Sequence, residues 1–180
     1  MLDRSELAQR LIQLAYIHGD FTLRSGRKAD TYFDKFLFMA DPECLAAITA
    51  TFITRLPERF DHLAGLELGG VPLASTLSLQ CCKPLNLIRK SRKSYGTCKI
   101  IEGPTVANKE IILIEDVVST GGAIIEAAEH LKQAQAKVIA AFAVVSRNDQ
   151  AKHNLLAHGI AFDALFDYRE LKDLIDEADS

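Results

Sequence analysis

Apolar and polar positions along this chain recur with two periods. Leu7, Leu11, Ile12 and Leu14 form a helical stripe behind Asp3 and Glu6, whose spacing fits a capping box, so a helix is expected up to about His18-Gly19. From Phe21 to Asp34 the period shortens to two on either side of Ser25-Gly26, which predicts a hairpin-like excursion. Asp41-Pro42-Glu43 then opens a helix reaching about Leu56, with Asp as cap and Pro in the first turn. Beyond it, short apolar runs alternate with helical patterns. Strands are expected at 63–68, 84–88, 111–114, 138–145 and 160–166. Helices are expected to start at Pro72 and to cover 123–131, 150–158 with Gly159 as cap, and 168–175. The unbroken run at 111–114 reads as a central strand buried on both faces. Strands alternating with helices imply a single α/β domain built on a doubly wound, mostly parallel sheet flanked by helices, with right-handed crossovers. In such a sheet the turns at 69–72, 89–104, 115–122 and 146–149 all follow strands. They converge on the edge where ligands bind.

The turn after 111–114 carries the most chemistry. Glu115-Asp116 is followed by Val117-Val118, then Ser119-Thr120-Gly121-Gly122, and a helix from Ala123. The N–H groups of such a turn and helix start can hold a phosphate. The carboxylates would repel that phosphate; they suit hydroxyls, or a magnesium ion held through water. A ligand with a phosphate, a sugar diol and a metal would satisfy the whole stretch. Gly69-Gly70 ends another strand and permits close backbone approach to a ligand. Arg89, Lys90, Arg92, Lys93 and Lys99 lie in a segment without an apolar stripe. The plain reading is a solvated basic turn; the sharper one is a mobile lid that closes over a polyanion and excludes water. Neither the Walker pattern nor the dinucleotide glycine pattern occurs.

Composition narrows the partners. At 180 residues and 48% hydrophobic the chain has enough for one sizeable core. A net charge of −3 offers no electrostatic case for nucleic acid. Cys44, Cys81, Cys82 and Cys98 lack zinc-type spacing and read as reduced thiols. There is no apolar signal core at the N-terminus and no apolar run of bilayer length, so a soluble cytoplasmic protein is expected, without membrane or nucleic-acid partners.

The stretch 111–122 resembles the phosphoribosyl-diphosphate (PRPP) signature of type I phosphoribosyltransferases, and two further segments resemble the orotate phosphoribosyltransferase family in particular. Phe21-Thr-Leu-Arg-Ser-Gly through Tyr32-Phe33-Asp34 is similar to that family's N-terminal hood, with Ala29 where serine is usual. Arg89-Lys90 through Tyr95-Gly96 and Glu102-Gly103 is similar to its catalytic loop. The resemblance covers nearly the whole chain. It implies a hood over about 1–40, a core over about 41–180 and a mobile catalytic loop over about 89–104.

By that resemblance Lys93, Lys90 and Asp116 are catalytic. PRPP would be held by Arg24, Gly69, Gly70, Arg89, Lys90, Lys93, Tyr95, Glu115, Asp116, Val117, Val118, Ser119, Thr120, Gly121, Gly122 and Ala123. Tyr32, Phe33, Ser119 and Arg147 would bind orotate. Mg²⁺ would be carried mainly by PRPP and water, with no direct protein ligand. Ser146 stands where the family usually has aspartate. Some members carry lysine where Gly69 stands, which leaves one diphosphate contact missing here or supplied elsewhere. The family further implies a homodimer with shared active sites. A phosphoribosyltransferase acting on a purine or uracil, and a regulatory nucleotide sensor on the same fold, are the competing readings; the basic lid argues against the sensor.

Overall fold

The computed structural model describes residues 2–22, 26–92, 96 and 98–178, the side chains of 177 and 178 aside. The capping box forms at α1 (Arg4–Ala15): Asp3 accepts from the N–H of Ser5 and Glu6, and Glu6 accepts from Asp3 N. The helix stops short of the expected His18-Gly19. Tyr16 turns extended, and β1 (Tyr16–Thr22) pairs antiparallel with β2 (Lys28–Phe33), so His18 lies on a strand opposite Thr31. Tyr16 and Ile17 are strand-forming residues, and their partners Phe33 and Tyr32 outweigh a continued helical stripe. An unforeseen short helix, α2 (Lys35–Met39), follows the hairpin, capped by Asp34. Then comes α3 (Pro42–Ile53), capped by Asp41 as its sequence predicts.

The core runs β3 (His62–Leu66), α4 (Gly70–Cys81), β4 (Leu85–Ile88), β5 (Ile101–Glu102), β6 (Glu110–Val118), α5 (Gly122–Gln133), β7 (Lys137–Ser146), α6 (Gln150–Ala157), β8 (Ala161–Asp167) and α7 (Tyr168–Ala178). The sheet order is β5-β4-β3-β6-β7-β8, parallel throughout except for β5, which runs antiparallel to β4. Three expectations are corrected here. The acidic pair does not follow the central strand but belongs to it, because the ladder with β7 continues past Glu115 to Val118. Helix α4 begins at Gly70, with Pro72 inside its first turn. The basic segment returns as strand β5 at its far end, since Ile101 and Glu102 pair with Ile88 and Leu87.

Alternation along the strands sorts the core into two layers. Leu63, Ile112, Ile114, Phe142 and Val144 pack with Leu11, Phe38, Phe52, Leu73 and Leu171. Ala64, Ile111, Leu113, Ala141 and Ala143 face Ile124, Leu131 and Leu155. Because both faces are covered, the central strand is apolar at successive positions, each buried Ile or Leu contributing about 1.5–3 kcal/mol. Truncating fully buried Ile112 to Ala would cost about 2–5 kcal/mol. The chain winds outward from β3 to β4, then returns to place β6 on the other side of β3. The gap between the carboxyl ends of β3 and β6 is therefore the topological switch point, where ligands of such sheets bind.

Candidate active site

The switch point is closed by glycines. A Cβ on Gly70 would overlap the carbonyl oxygen of Ile114, and one on Gly69 would overlap the Asp116 carboxylate. Only side chains reduced to hydrogen let the start of α4 lie this close to β6. Asp116 itself is fully buried on β6. Its carboxylate faces the ammonium of Lys35, whose Nζ lies 3.0 Å from Oδ1 and 2.8 Å from Oδ2. Burying a carboxylate without a partner would be severely unfavourable, so this lysine accounts for how a charged group can sit there.

Glu115 precedes Asp116 on the strand and lines the cleft. Its Oε1 accepts from the Asp116 N–H at 3.0 Å. Burial, reinforced by the neighbouring Asp116 carboxylate, pushes the Glu115 carboxyl up to about 8. The dyad thus places a proton-holding carboxyl beside an ion-paired carboxylate.

A cavity of about 560 Å³ opens beside Glu115, lined among others by Lys35, Glu67, Leu68, Arg89 and Lys90, while the fully buried Asp116 is reached only through its partner Lys35. Lys90 is tethered near Glu67, whose Oε2 accepts from its backbone N–H at 3.3 Å. A second cavity, of about 250 Å³, adjoins through Glu115, Val117 and Ala123, and is walled by the turn at 117–124. Here Gly121 takes φ +82°, a left-handed conformation that glycine adopts without penalty, and packs on Leu155. Among the described residues no side chain caps α5, so its first N–H groups are left for an anion. Asn154 braces the turn by donating to Thr120 O at 2.9 Å. Ser119, Thr120, Gly122 and Ala123 are exposed, whereas the Val118 side chain is core, so Val118 could serve a ligand only through its backbone.

Arg147 lies at the carboxyl end of β7, its N–H donating to Val118 O at 2.8 Å. Its guanidinium stands 5.6 Å over the ring of Tyr168. Tyr168 in turn meets Phe33 edge-on, with centroids 6.4 Å apart. The hood strand and the end of β7 are thereby joined through one aromatic ring. Phe33 also packs on Phe38 inside the core layer, while Tyr32 alternates outward and is 43% exposed beside Phe21. Arg24, Lys93 and Tyr95 lie outside the described residues.

The structure therefore gathers Gly69, Gly70, Arg89, Lys90, Glu115, Asp116 and the 117–123 turn at one switch point. Arg147 meets that turn through its backbone bond to Val118, but neither it nor Tyr32 or Phe33 lines either cavity. Sequence reasoning missed Lys35, Glu67 and Tyr168. Lys35 follows directly on the hairpin and Glu67 ends a strand; neither position has a periodic signal. Tyr168 follows β8, and only its stacking under Arg147 sets it apart. Among the described residues Glu67, Glu115 and Glu126 line the cleft, and their carboxyl oxygens are hard donors that fit magnesium held through water.

The family described as "Phosphoribosyl transferase domain" matches residues 43–155. The chain is 43% identical over 154 residues to an orotate phosphoribosyltransferase of a Nocardioides species, covering 86% of each chain. It is 35% identical over 177 residues to that of Methanopyrus kandleri, covering 98% of this chain and 96% of the relative. Among solved structures it resembles the orotate phosphoribosyltransferase of Mycobacterium tuberculosis in complex with Fe(III) dicitrate, with TM-score 0.81 and 27% identity, covering 94% of this chain and 99% of that one. The Aeropyrum pernix enzyme of the same name gives TM-score 0.79 at 26% identity, covering 94% and 98%.

Proposed function

Because the chain belongs to the orotate phosphoribosyltransferase family, we propose that it transfers the 5-phosphoribosyl group of PRPP to orotate, giving orotidine 5′-monophosphate and diphosphate in pyrimidine biosynthesis. The observation that carries this reading is one cleft at the switch point. It is lined by Glu115, Arg89, Lys90 and the Lys35 that pairs with Asp116, and it adjoins a glycine turn and a helix start open to an anion. In the reaction a ring nitrogen of orotate gives up its proton to solvent and bonds to the ribose anomeric carbon as the bond from that carbon to diphosphate breaks. Positive charge gathers on the sugar and negative charge on the leaving group.

Each part of the site then has a task. The turn from Ser119 to Ala123 and the α5 N-terminus hold the 5′-phosphate through N–H donors. Glu115 and Asp116 take the ribose hydroxyls. Gly69 and Gly70 admit the diphosphate close to backbone, while Arg89, Lys90 and Lys93 meet its charge. Cations in a cleft that sheds water stabilise a departing anion more than they would in solvent. Mg²⁺, when bound with PRPP, supplies further neutralisation of the diphosphate. Arg147 and the hood aromatics Tyr32 and Phe33 hold orotate, with Ser119 within the same turn. The enzyme works as a cytoplasmic homodimer with shared active sites.

The test is a spectrophotometric assay with PRPP and Mg²⁺ and with orotate, uracil or hypoxanthine as acceptor. Turnover of orotate alone is the expected result. Turnover of uracil or hypoxanthine in its place would assign another base, and no turnover of any would remove the transferase reading.

A further inference from the structure

We propose that Lys35 is a further donor-binding residue: it pairs with Asp116 and passes to the diphosphate of PRPP when the ribose diol takes Asp116. The inference rests on the transferase reading above. Lys35 opens α2, directly after the hood strand β2, and its side chain crosses to the core to meet a residue 81 positions away. The Asp116 oxygen it approaches at 2.8 Å, Oδ2, is one that a Cβ on Gly69 would overlap. No side chain at position 69 could therefore bring a charge to this spot, and the hood brings one instead.

The geometry argues for transfer rather than a fixed structural pair. Asp116 is wholly buried, but the Lys35 side chain is 37% exposed and lines the same cavity as Arg89 and Lys90. Its ammonium is a mobile point charge on a flexible stem, able to swing by a few ångströms without unpacking a core. The chemistry of the donor puts the next anion within that reach. In PRPP the diphosphate is attached to the carbon next to the one bearing the 2-hydroxyl. A lysine displaced from the carboxylate by the diol hydroxyls therefore meets diphosphate oxygens at once. It exchanges one oxyanion for another carrying more charge.

Two ligands separate this role from simple neutralisation of Asp116. PRPP with Mg²⁺ carries diol, 5′-phosphate and diphosphate; ribose 5-phosphate carries the first two only. Each is titrated calorimetrically into the unaltered chain, Lys35→Met and Lys35→Arg, with thermal unfolding of each variant confirming the fold. The expected result is a 10- to 100-fold loss of PRPP affinity in Lys35→Met. Ribose 5-phosphate should bind as well as to the unaltered chain or more tightly, since Asp116 no longer has a competitor. Lys35→Arg, which keeps the charge, should recover most of the PRPP affinity. Equal losses for both ligands would show that Lys35 only holds Asp116 in place and would overturn the inference, as would PRPP affinity unchanged in Lys35→Met. Failure of the unaltered chain to bind PRPP would instead bring down the transferase reading, and this inference with it.

Discussion

The carboxylate of Asp116 fills the space that a side chain at Gly69 would need. The two residues come from neighbouring parallel strands, Gly69 just past β3 and Asp116 on β6, so their contact fixes how closely the β3 turn and the central strand approach. Gly69→Ala cannot be absorbed by a distant flexible tip, because the atoms it meets belong to a buried, ion-paired group. The variant should lose about 1–3 kcal/mol of stability, the usual cost of overpacking, and should bind PRPP at least 10-fold more weakly as Asp116 is pushed off its place. Urea unfolding and a PRPP titration measure the two effects. A variant as stable and as tight as the original would mean that the turn relaxes freely.

The acidic pair should also leave a mark on stability against pH. Glu115 is held up to about 8 in the folded chain, mainly by burial, against an ordinary value of 4.5. Between those two values the folded chain keeps a proton that the unfolded chain has released. Stability is therefore full below the unfolded value and falls as pH rises through this window, by up to about 1.4 kcal/mol per unit, then levels off above it. Glu115→Gln cannot titrate and should lack this component. Chemical unfolding of the ligand-free protein at intervals from pH 5 to 9 gives the comparison. Parallel curves for the two proteins would remove the assignment to Glu115.

A third expectation concerns the strand that returns from the basic segment. Asn86 is fully buried, and its amide nitrogen donates to Pro104 O at 2.8 Å and Glu102 O at 3.3 Å. With the nitrogen so used, the amide oxygen is the atom 2.9 Å from His62 Nδ1, which makes that ring nitrogen the donor. This network ties β5 to β4 and anchors one end of the segment 89–100. Asn86→Leu keeps the volume but strands two carbonyls and a buried ring N–H, at a cost of about 2–4 kcal/mol. Thermal or urea unfolding should register the whole of that loss. A shift under 1 kcal/mol would indicate that water replaces the amide.

How much of this could be read beforehand follows from what each signal depends on. The central sheet was legible because a strand covered on both faces must be apolar at every step, and 111–114 and 138–145 are. The glycine turn and the Ser119-Thr120-Gly121-Gly122 turn were legible because their chemistry is local: backbone N–H groups, positive φ and a helix start lie within a few residues. The end of α1 was not, since Leu14 continues a helical stripe while Tyr16 and Ile17 are won by partners on β2. Lys35 was illegible for the same reason at longer range. Its role depends on Asp116, 81 positions on, and no local pattern distinguishes it from a solvated lysine. The placing of Glu115 and Asp116 inside β6 depended likewise on the ladder with β7.

The last expectation concerns the choice of base and rests on Arg147. Orotate differs from uracil by a carboxylate, so a selective site should reward that charge or the planar edge beside it. The fixed fork of arginine suits planar oxygen acceptors in a way that the point charge of lysine does not. In this chain the fork is also aimed: the backbone of Arg147 is bonded to Val118, and the guanidinium stands 5.6 Å over Tyr168, which itself packs edge-on against Phe33 of the hood. A lysine keeps the charge but loses both the fork and the flat face that stacks on the ring. Arg147→Lys should therefore bind orotate about 10- to 100-fold more weakly, the worth of a charged hydrogen bond at about 1.5–3 kcal/mol. Tyr168→Ala should move orotate affinity in the same direction by a smaller factor, since the guanidinium stays but loses its support. PRPP affinity should barely change in either, because the proposed phosphate and diol contacts belong to the β6–α5 turn and the acidic pair. Titration of both ligands into both variants decides the matter: losses shared equally by orotate and PRPP, or none for orotate, would show that this arginine does not read the base.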